Sequence, residues 1–182
     1  MVLTIDIGNT TIGIGGFQGN KLLFIEKISS RRPLSDAGYI EKLNMILNKH
    51  GLSAEAFEGS MISSVVPSVT AVFSSALETF LGRKPLILSH KLDLGYEICT
   101  EFPEKVGCDR LADIAGAISR YSLPFVTIDL GTATTFNVLD ENRRFLGGLI
   151  LPGVGTAHRA LLGKTAQLPK GDIHMPAHTI GA

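Results

Sequence analysis

The sequence predicts an α/β protein whose two halves begin in the same way. Each half opens with an apolar strand that runs into Ile-Asp, an apolar residue, glycine and small polar residues. The two copies are Ile5-Asp6-Ile7-Gly8-Asn9-Thr10-Thr11 and Ile128-Asp129-Leu130-Gly131-Thr132-Ala133-Thr134. Strands and helices alternate between them, which favours parallel pairing of the later strands under a cover of helices. Two copies of one unit in a chain indicate an internal duplication.

In the first half, the predicted elements are strands at 2–7, Thr11–Phe17 and Lys21–Ile28, a helix from Ser35 to about Lys49, a strand at Gly59–Val66, a helix beginning at Ser68, and a short buried strand at Pro85–Leu88. The first three strands are expected to form an antiparallel meander, because Gln18-Gly19-Asn20 has the composition of a hairpin turn. Ser35 is a suitable helix N-cap, and Gly51 follows the end of that helix.

The second half is preceded by residues 89–107, which lack periodicity and are predicted to be a loop. Its expected elements are a helix at Cys108–Tyr121, strands at Phe125–Leu130, Phe136–Leu139 and Arg144–Leu151, and a helix at about Thr156–Leu162. The three strands would form a second meander. We therefore divide the chain into an N-terminal half, 1–107, and the start of a C-terminal half, 108–182.

Composition excludes several classes of protein. Hydrophobic residues make up 45% and charged residues 19% of the 182 residues, which excludes extended disorder. The formal net charge is zero without a basic block, so nucleic acid is not an expected partner. The apolar runs are too short to span a bilayer. Asp6 also interrupts the apolar run at the N-terminus, whereas a signal peptide requires a continuous apolar region. With Cys99 and Cys108 expected to be free thiols, these features predict a cytoplasmic protein that does not associate with membranes.

The turn after Asp6 has the residues that a phosphate site needs. Gly8 allows close approach of the backbone, Asn9, Thr10 and Thr11 offer donors, and Asp6 can hold a metal ion through water. The alternative is an ordinary hairpin turn in which a buried Asp satisfies the backbone. Two such turns facing each other would clamp one nucleotide.

A set of motifs in a fixed order resembles the type III pantothenate kinase family. The motifs are Asp6-Ile7-Gly8-Asn9-Thr10, Ser63-Ser64-Val65-Val66-Pro67, Gly107-Cys108-Asp109-Arg110, Asp129-Leu130-Gly131-Thr132-Ala133-Thr134-Thr135, Gly147-Gly148-Leu149-Ile150-Leu151-Pro152-Gly153 and Thr165-Ala166-Gln167-Leu168-Pro169. The resemblance implies the sugar-kinase/actin-like superfamily, with duplicated ribonuclease-H-like halves and mixed five-stranded sheets that bracket ATP.

The resemblance also implies an activity and a site. The activity is ATP-dependent phosphorylation of pantothenate to 4′-phosphopantothenate, the first step of coenzyme A biosynthesis, by a homodimer. The implied ATP-binding residues are Asp6, Ile7, Gly8, Asn9, Thr10, Thr11, Ile12, Gly13 and Thr132, with Asp6 near Mg2+. Asp129 would ligate a monovalent cation, K+ or NH4+. Gly107, Cys108, Asp109 and Arg110 would line the pantothenate site, with Asp109 as the general base.

The chemistry of Asp109 agrees with that role. A helix N-terminus favours the ionised carboxylate, which would accept the proton of the attacking hydroxyl, while Arg110 would hold substrate oxygen atoms. The alternative for Asp109 is a surface Asp that pairs with Arg at a helix N-terminus, and for Asp129 a buried Asp that caps a turn. Cys108 is expected to fill space and not to act as a nucleophile.

Two departures from the family pattern bear on function. Thr100 stands where the family usually has an aromatic substrate contact, and Tyr96 is a weak substitute. Family members also continue for several dozen residues past Thr179-Ile180-Gly181-Ala182, so we expect a fragment with an incomplete second half. A non-catalytic nucleotide-binding regulator and a small-alcohol kinase of the same superfamily are the alternative functions.

Overall fold

The computed structural model of the chain describes residues 1–165, 171 and 173. The motif at 165–169, apart from Thr165, and the C-terminal segment Thr179–Ala182 lie outside the described residues. The strands are β1 (Val2–Ile7), β2 (Thr11–Gln18), β3 (Lys21–Ser29), β4 (Gly59–Ser64), β5 (Leu86–Ile87), β6 (Glu97–Ile98), β7 (Phe125–Leu130), β8 (Ala133–Leu139) and β9 (Arg144–Pro152). The helices are α1 (Asp36–Lys49), α2 (Pro67–Leu81), α3 (Cys108–Ile118) and α4 (Val154–Lys164).

The first sheet has five strands in the order β3-β2-β1-β4-β5. β1, β2 and β3 form the predicted antiparallel meander, and β4 and β5 join it in parallel. One face is covered by α1 and α2, where Tyr39 and Phe73 pack with their ring centroids 4.5 Å apart. The predicted inner face of α1, Tyr39, Leu43, Ile46 and Leu47, is buried, and Ser35 accepts the backbone N–H of Gly38 as its N-cap.

The second sheet has four described strands in the order β6-β9-β8-β7. β7, β8 and β9 form the predicted second meander, so the duplicated strand–turn–strand unit is present in both sheets. The small core beneath this sheet contains Ile114, Leu139 and Phe145. The fold class is therefore the predicted one, an α/β protein with two mixed sheets.

Besides shifts in other element boundaries, the structure corrects the predictions for α2, β5 and β6. α2 begins at Pro67, not Ser68, because proline fits the first helical position, where no N–H donor is needed. The predicted buried strand at Pro85–Leu88 is reduced to β5, where Leu86 and Ile87 are 49% and 45% exposed because β5 is an edge strand, and only Leu88 after it is buried. The predicted loop at 89–107 contains β6, which pairs in parallel with β9 through Glu97↔Arg144.

The second sheet leaves one apolar face exposed. Val126, Ile128 and Leu130 alternate along β7, and Leu149 and Leu151 lie opposite Ile128 and Leu130 across β8. All five side chains are at least 48% exposed. An apolar patch of this kind marks a surface that another element or chain covers. Among the described residues, no helix combines the length and the apolar character that crossing a bilayer requires.

Candidate active site

Each turn of the duplicated unit is closed by a backbone hydrogen bond from its glycine, and the first turn is one residue longer than the second. The N–H of Gly8 donates to the carbonyl of Thr11 at 2.9 Å, and the N–H of Gly131 donates to the carbonyl of Ala133 at 2.9 Å. Each glycine follows a strand that carries an aspartate in its penultimate position, Asp6 in β1 and Asp129 in β7. The repeat seen in the sequence is therefore a repeated strand–turn–strand unit whose two turns differ in length.

The two turns meet across the gap between the sheets. The Oγ1 atoms of Thr10 and Thr132 lie 3.2 Å apart, a hydrogen bond between residues 122 positions apart. Beside this contact is a cavity of about 250 Å³ that is also lined by Arg31, Thr156 and Arg159. Within the described part of the chain, neither arginine has a carboxylate within 4.0 Å. The cavity therefore combines hydroxyl donors with two guanidinium groups, a set that suits an anion.

The N-terminus of α4 borders the same cavity. The helix has Gly153 as its N-cap, without a side-chain cap, and Gly155 and Thr156 of its first turn line the cavity wall. Thr156 Oγ1 donates to the carbonyl of Thr132 at 2.8 Å, which ties α4 to the second turn. A helix N-terminus carries partial positive charge, so it adds to the field of the two arginines.

Helix α3 brings Asp109 and Arg110 to the junction of the two sheets. Asp109 Oδ1 accepts the backbone N–H of Arg110 at 2.8 Å, whereas the Arg110 side chain turns away and bonds to β8. The two side chains thus do not form the surface ion pair that was the alternative for this motif. A Cβ at Gly107 would meet Asp109 Oδ1, so glycine leaves room for the carboxylate.

Four carboxylates converge around this point: Asp6, Asp109, Asp113 and Asp129. Although solvent reaches the Asp6 side chain, desolvation in the cleft raises its pKa, Asp109 and Asp129 raise it further, and the Ser63 hydroxyl opposes the rise. Desolvation raises the pKa of Asp113 to about 6, with the negative charges of Asp129, Asp109 and Asp6 adding to it. Each of these negative charges thus disfavours ionisation of its neighbours.

The remaining residues predicted to bind ATP differ in whether a ligand can reach their side chains. Asn9 and Thr11 are exposed, whereas Ile7 and Ile12 are fully buried in the first core, so these two residues can offer a ligand only their backbone. Gly13 lies opposite Asp6 in the register of β1 and β2. Both cysteines are free, and Cys108 donates its thiol to the carbonyl of Leu88 at 3.1 Å. Burial raises the pKa of the Cys108 thiol, as expected of a residue that fills space.

The segment before α3 holds Thr100 and Tyr96 against the second half. The Tyr96 hydroxyl donates to the carbonyl of Leu111 at 3.0 Å, and burial raises its pKa strongly. Thr100 Oγ1 is buried without a hydrogen-bond partner among the described residues. The Tyr96 hydroxyl is thus already used within the protein, which weakens it further as a substitute substrate contact.

Sequence reasoning missed four residues of this region: Arg31, Asp113, Asn137 and Arg159. Asp113 had a local signal, since it lies one helical turn after Asp109 and therefore shares its face of α3. Arg31 and Arg159 had none, because they are brought to the Thr10–Thr132 contact by the packing of distant elements. Asn137 follows the Thr134-Thr135-Phe136 stretch inside β8, where an amide in a buried position is itself a signal of a polar partner.

Comparison with known proteins agrees with these features. The family model described as type III pantothenate kinase matches residues 2–182. A protein of Bifidobacterium animalis subsp. lactis named type III pantothenate kinase is 39% identical over all of this chain and 72% of its own length. A protein of the same name from Finegoldia magna is 36% identical, over 100% of this chain and 69% of its own length.

A solved structure from Campylobacter jejuni, described as a conserved candidate transcriptional activator of the Baf family, matches with a TM-score of 0.54 and 16% identity. The match covers 98% of this chain and 68% of that chain, and at this identity it supports the fold alone.

The two mixed sheets, each with a strand–turn–strand unit whose turn meets the other, define an α/β protein with an internal duplication. The family match then makes the identification specific: the chain belongs to the type III pantothenate kinase family. The resemblance noted in the sequence is confirmed, and with it the enzyme class, a pantothenate kinase that uses ATP as co-substrate.

Proposed function

We propose that this chain transfers the γ-phosphoryl group of ATP to the terminal hydroxyl of pantothenate, with the nucleotide held between the two turns and Asp109 as the base. The observation that carries the residue assignment is the approach of Thr10 Oγ1 to Thr132 Oγ1 at 3.2 Å, which sets both turns around one small space. Phosphoryl transfer requires positioning and charge neutralisation more than covalent catalysis, and facing turns supply the first.

The phosphates of ATP are assigned to the turn at 6–13 and to Thr132, next to the cavity with Arg31 and Arg159. The two guanidinium groups and the N-terminus of α4 support this assignment, because each favours a multiply charged anion. Thr10 and Thr132 supply hydroxyl donors from opposite sides. Ile7 and Ile12 would take part through backbone groups only, as their side chains are in the core.

Asp109 is assigned as the general base, and Gly107, Cys108 and Arg110 as its neighbours in the pantothenate site. The carboxylate lies in the first turn of α3, where its Oδ1 accepts the backbone N–H of Arg110. Arg110 next to it would hold substrate oxygen atoms through charge-assisted hydrogen bonds. Proton acceptance from the attacking hydroxyl and orientation of the substrate are thus assigned to adjacent residues.

The site fits the cations that the family resemblance implies. Asp6 would hold Mg2+ and Asp129 the monovalent cation, K+ or NH4+. The convergence of acidic groups that raises the pKa of Asp6 and Asp113 favours cations there. Within residues 1–165, 171 and 173, no group of three or more acidic, His or Cys side chains forms a complete metal site, so phosphate oxygens and water would complete the coordination. Bound cations would neutralise the charge on the transferring phosphoryl group.

A homodimer and a cytoplasmic location are also proposed. The exposed apolar face of the second sheet supports the homodimer, because such a face needs another chain to cover it. The free cysteines support the cytoplasm, because it is a reducing compartment. Light scattering of the purified protein would test the dimer.

The activity is tested by incubating the purified protein with ATP, Mg2+ and pantothenate in potassium buffer, with 4′-phosphopantothenate measured by mass spectrometry. We expect pantothenate-dependent formation of ADP. A panel of sugars and small alcohols tests the alternative kinase, which would phosphorylate one of them and leave pantothenate unchanged. Calorimetric titration tests a regulator, which would bind nucleotide but not pantothenate. Either outcome in a folded protein would contradict the proposed function.

A further inference from the structure

A row of three residues crosses the second sheet beneath Arg110. The strand register pairs Thr127 in β7 with Asn137 in β8, and Asn137 with Gly148 in β9. Directly opposed residues in antiparallel strands lie on the same face of a sheet, so the row occupies one face. The Arg110 side chain reaches this face from the first turn of α3.

Asn137 is the centre of the row. It is fully buried, and its Oδ1 accepts a hydrogen bond from Arg110 Nε at 2.6 Å. Its Nδ2 donates to Thr127 Oγ1 at 2.9 Å. Both ends of the amide are therefore used: Arg110 can only donate, so it requires Oδ1 to face it, and Nδ2 is left for Thr127.

Gly148 leaves the space that the guanidinium occupies. A Cβ at this position would meet the carbonyl oxygen of Phe136 and lie 2.8 Å from Arg110 Nη2. Nη2 itself donates to that carbonyl at 3.1 Å, and the Phe145 ring centroid lies 5.4 Å from Arg110 Cζ. The second sheet thus determines both the position and the rotation of the planar Arg110 guanidinium.

We propose that Asn137, held by Thr127, is a positioning residue that acts through Arg110 to orient its guanidinium for pantothenate. The inference rests on the proposed function, since it takes Arg110 as a substrate-binding residue next to Asp109. The two side-chain bonds of Arg110 found among the described residues use two of the five N–H donors of a guanidinium. The rigid fork leaves the other donors in fixed directions for substrate oxygen atoms.

A purely structural role for Asn137 predicts a different result from a positioning role. A structural residue affects stability and all substrates alike, whereas a residue that orients Arg110 affects pantothenate selectively. ATP is assigned to the turns and to Arg31 and Arg159, none of which contacts Asn137 through a hydrogen bond. The ratio of the two KM values is therefore the informative measurement.

The test compares steady-state kinetics of the wild-type chain with Asn137→Leu, Asn137→Asp, Thr127→Val and Thr127→Ser, varying pantothenate and ATP separately. Asn137→Leu should raise the KM for pantothenate about 10- to 100-fold, the usual range for a lost hydrogen bond to a charged group, and the KM for ATP by less than about twofold. Asn137→Asp keeps an oxygen that accepts from Arg110 Nε and should restore most of the affinity.

The variants Thr127→Val and Thr127→Ser keep the test decisive if Asn137→Leu does not fold. Thr127→Val removes the acceptor for Asn137 Nδ2 and should raise the KM for pantothenate by about 3- to 10-fold, while Thr127→Ser keeps the hydroxyl and should match the wild type. An unchanged KM for pantothenate in a folded Asn137→Leu or Thr127→Val variant, or an equal rise in both KM values, would overturn the inference. A wild-type chain without pantothenate-dependent turnover would instead overturn the proposed function.

Discussion

Thr10 Oγ1 and Thr132 Oγ1 form a hydrogen bond of 3.2 Å between two turns that come from opposite halves of the chain. Both hydroxyls are in exposed or half-buried residues, so the bond itself contributes little to stability. In the proposed site, each hydroxyl would exchange this bond for one to an ATP phosphate. The contact therefore brings the two turns together at the edge of the cavity that Arg31 and Arg159 line.

Removal of the Thr132 hydroxyl should weaken ATP binding. We expect Thr132→Val to raise the KM for ATP roughly 10-fold, because one donor to a charged phosphate is lost, while the KM for pantothenate stays within about twofold. Thr132→Ser retains the hydroxyl and serves as the matched control. Equal ATP affinities in the valine and serine variants, measured by calorimetry, would show that this hydroxyl does not contact the nucleotide.

Replacement of the proposed base should abolish turnover without loss of nucleotide binding. Asp109→Asn keeps an oxygen that can accept the backbone N–H of Arg110, so the start of α3 should be preserved. We expect kcat to fall by about 10²- to 10⁴-fold, the usual contribution of a general base. Circular dichroism and ATP titration check that the variant is folded and binds nucleotide. Full activity of Asp109→Asn would refute the base assignment.

The two arginines of the cavity should contribute to ATP affinity through charge. Arg31→Ala and Arg159→Ala are each expected to raise the KM for ATP about 3- to 30-fold, with a larger effect at low than at high ionic strength. Arg32→Ala is the matched control, since Arg32 is a neighbouring exposed arginine that does not line the cavity. A control that weakens ATP binding as much as Arg31→Ala would indicate a general effect of net charge.

Asp113 should make the fold less stable as the pH rises. Its folded-state pKa is raised from 3.8 to about 6, so ionisation is less favourable in the folded than in the unfolded state. The stability of the wild type should therefore fall relative to Asp113→Asn as the pH rises from about 4 through 6, and the difference should vanish below about pH 4.

The full shift would correspond to about 3 kcal/mol, and partial exposure of the carboxylate reduces our expectation to about 1 kcal/mol at pH 8. Urea unfolding of both proteins at pH 4 and pH 8, without added divalent cations, measures the difference. A wild type more stable than Asp113→Asn at pH 8 would contradict the prediction.

Local patterns sufficed for much of the fold. Ser35, Gly51 and the spacing of Tyr39, Leu43 and Leu47 predicted α1 with its buried face, since caps and periodicity are properties of neighbouring residues. The strand β6 was missed because two residues, Glu97 and Ile98, have no periodicity to read. The burial of β5 was mispredicted because apolar residues show that a strand exists but not whether it lies at the edge of a sheet.

Only part of the candidate site could likewise be predicted from the sequence. The turns at Asp6 and Asp129 could be recognised because their residues are contiguous and repeated. Asn137 and Arg110 could not be paired from sequence, since 27 positions and a strand register separate them. The cavity with Arg31 and Arg159 depends on the approach of elements from both halves, which no local pattern records.

The short strand β6 affects how the chain can be dissected. Glu97 and Ile98 precede α3 in sequence, yet they form the outer strand beside β9 of the second sheet. A fragment that begins at residue 108 would lose this strand and leave β9 with unpaired backbone groups, a template for aggregation. A fragment that begins before Tyr96 would keep both β6 and the Tyr96 contact with α3. Expression of the second half alone should therefore depend on about a dozen residues that sequence reading assigned to the first half.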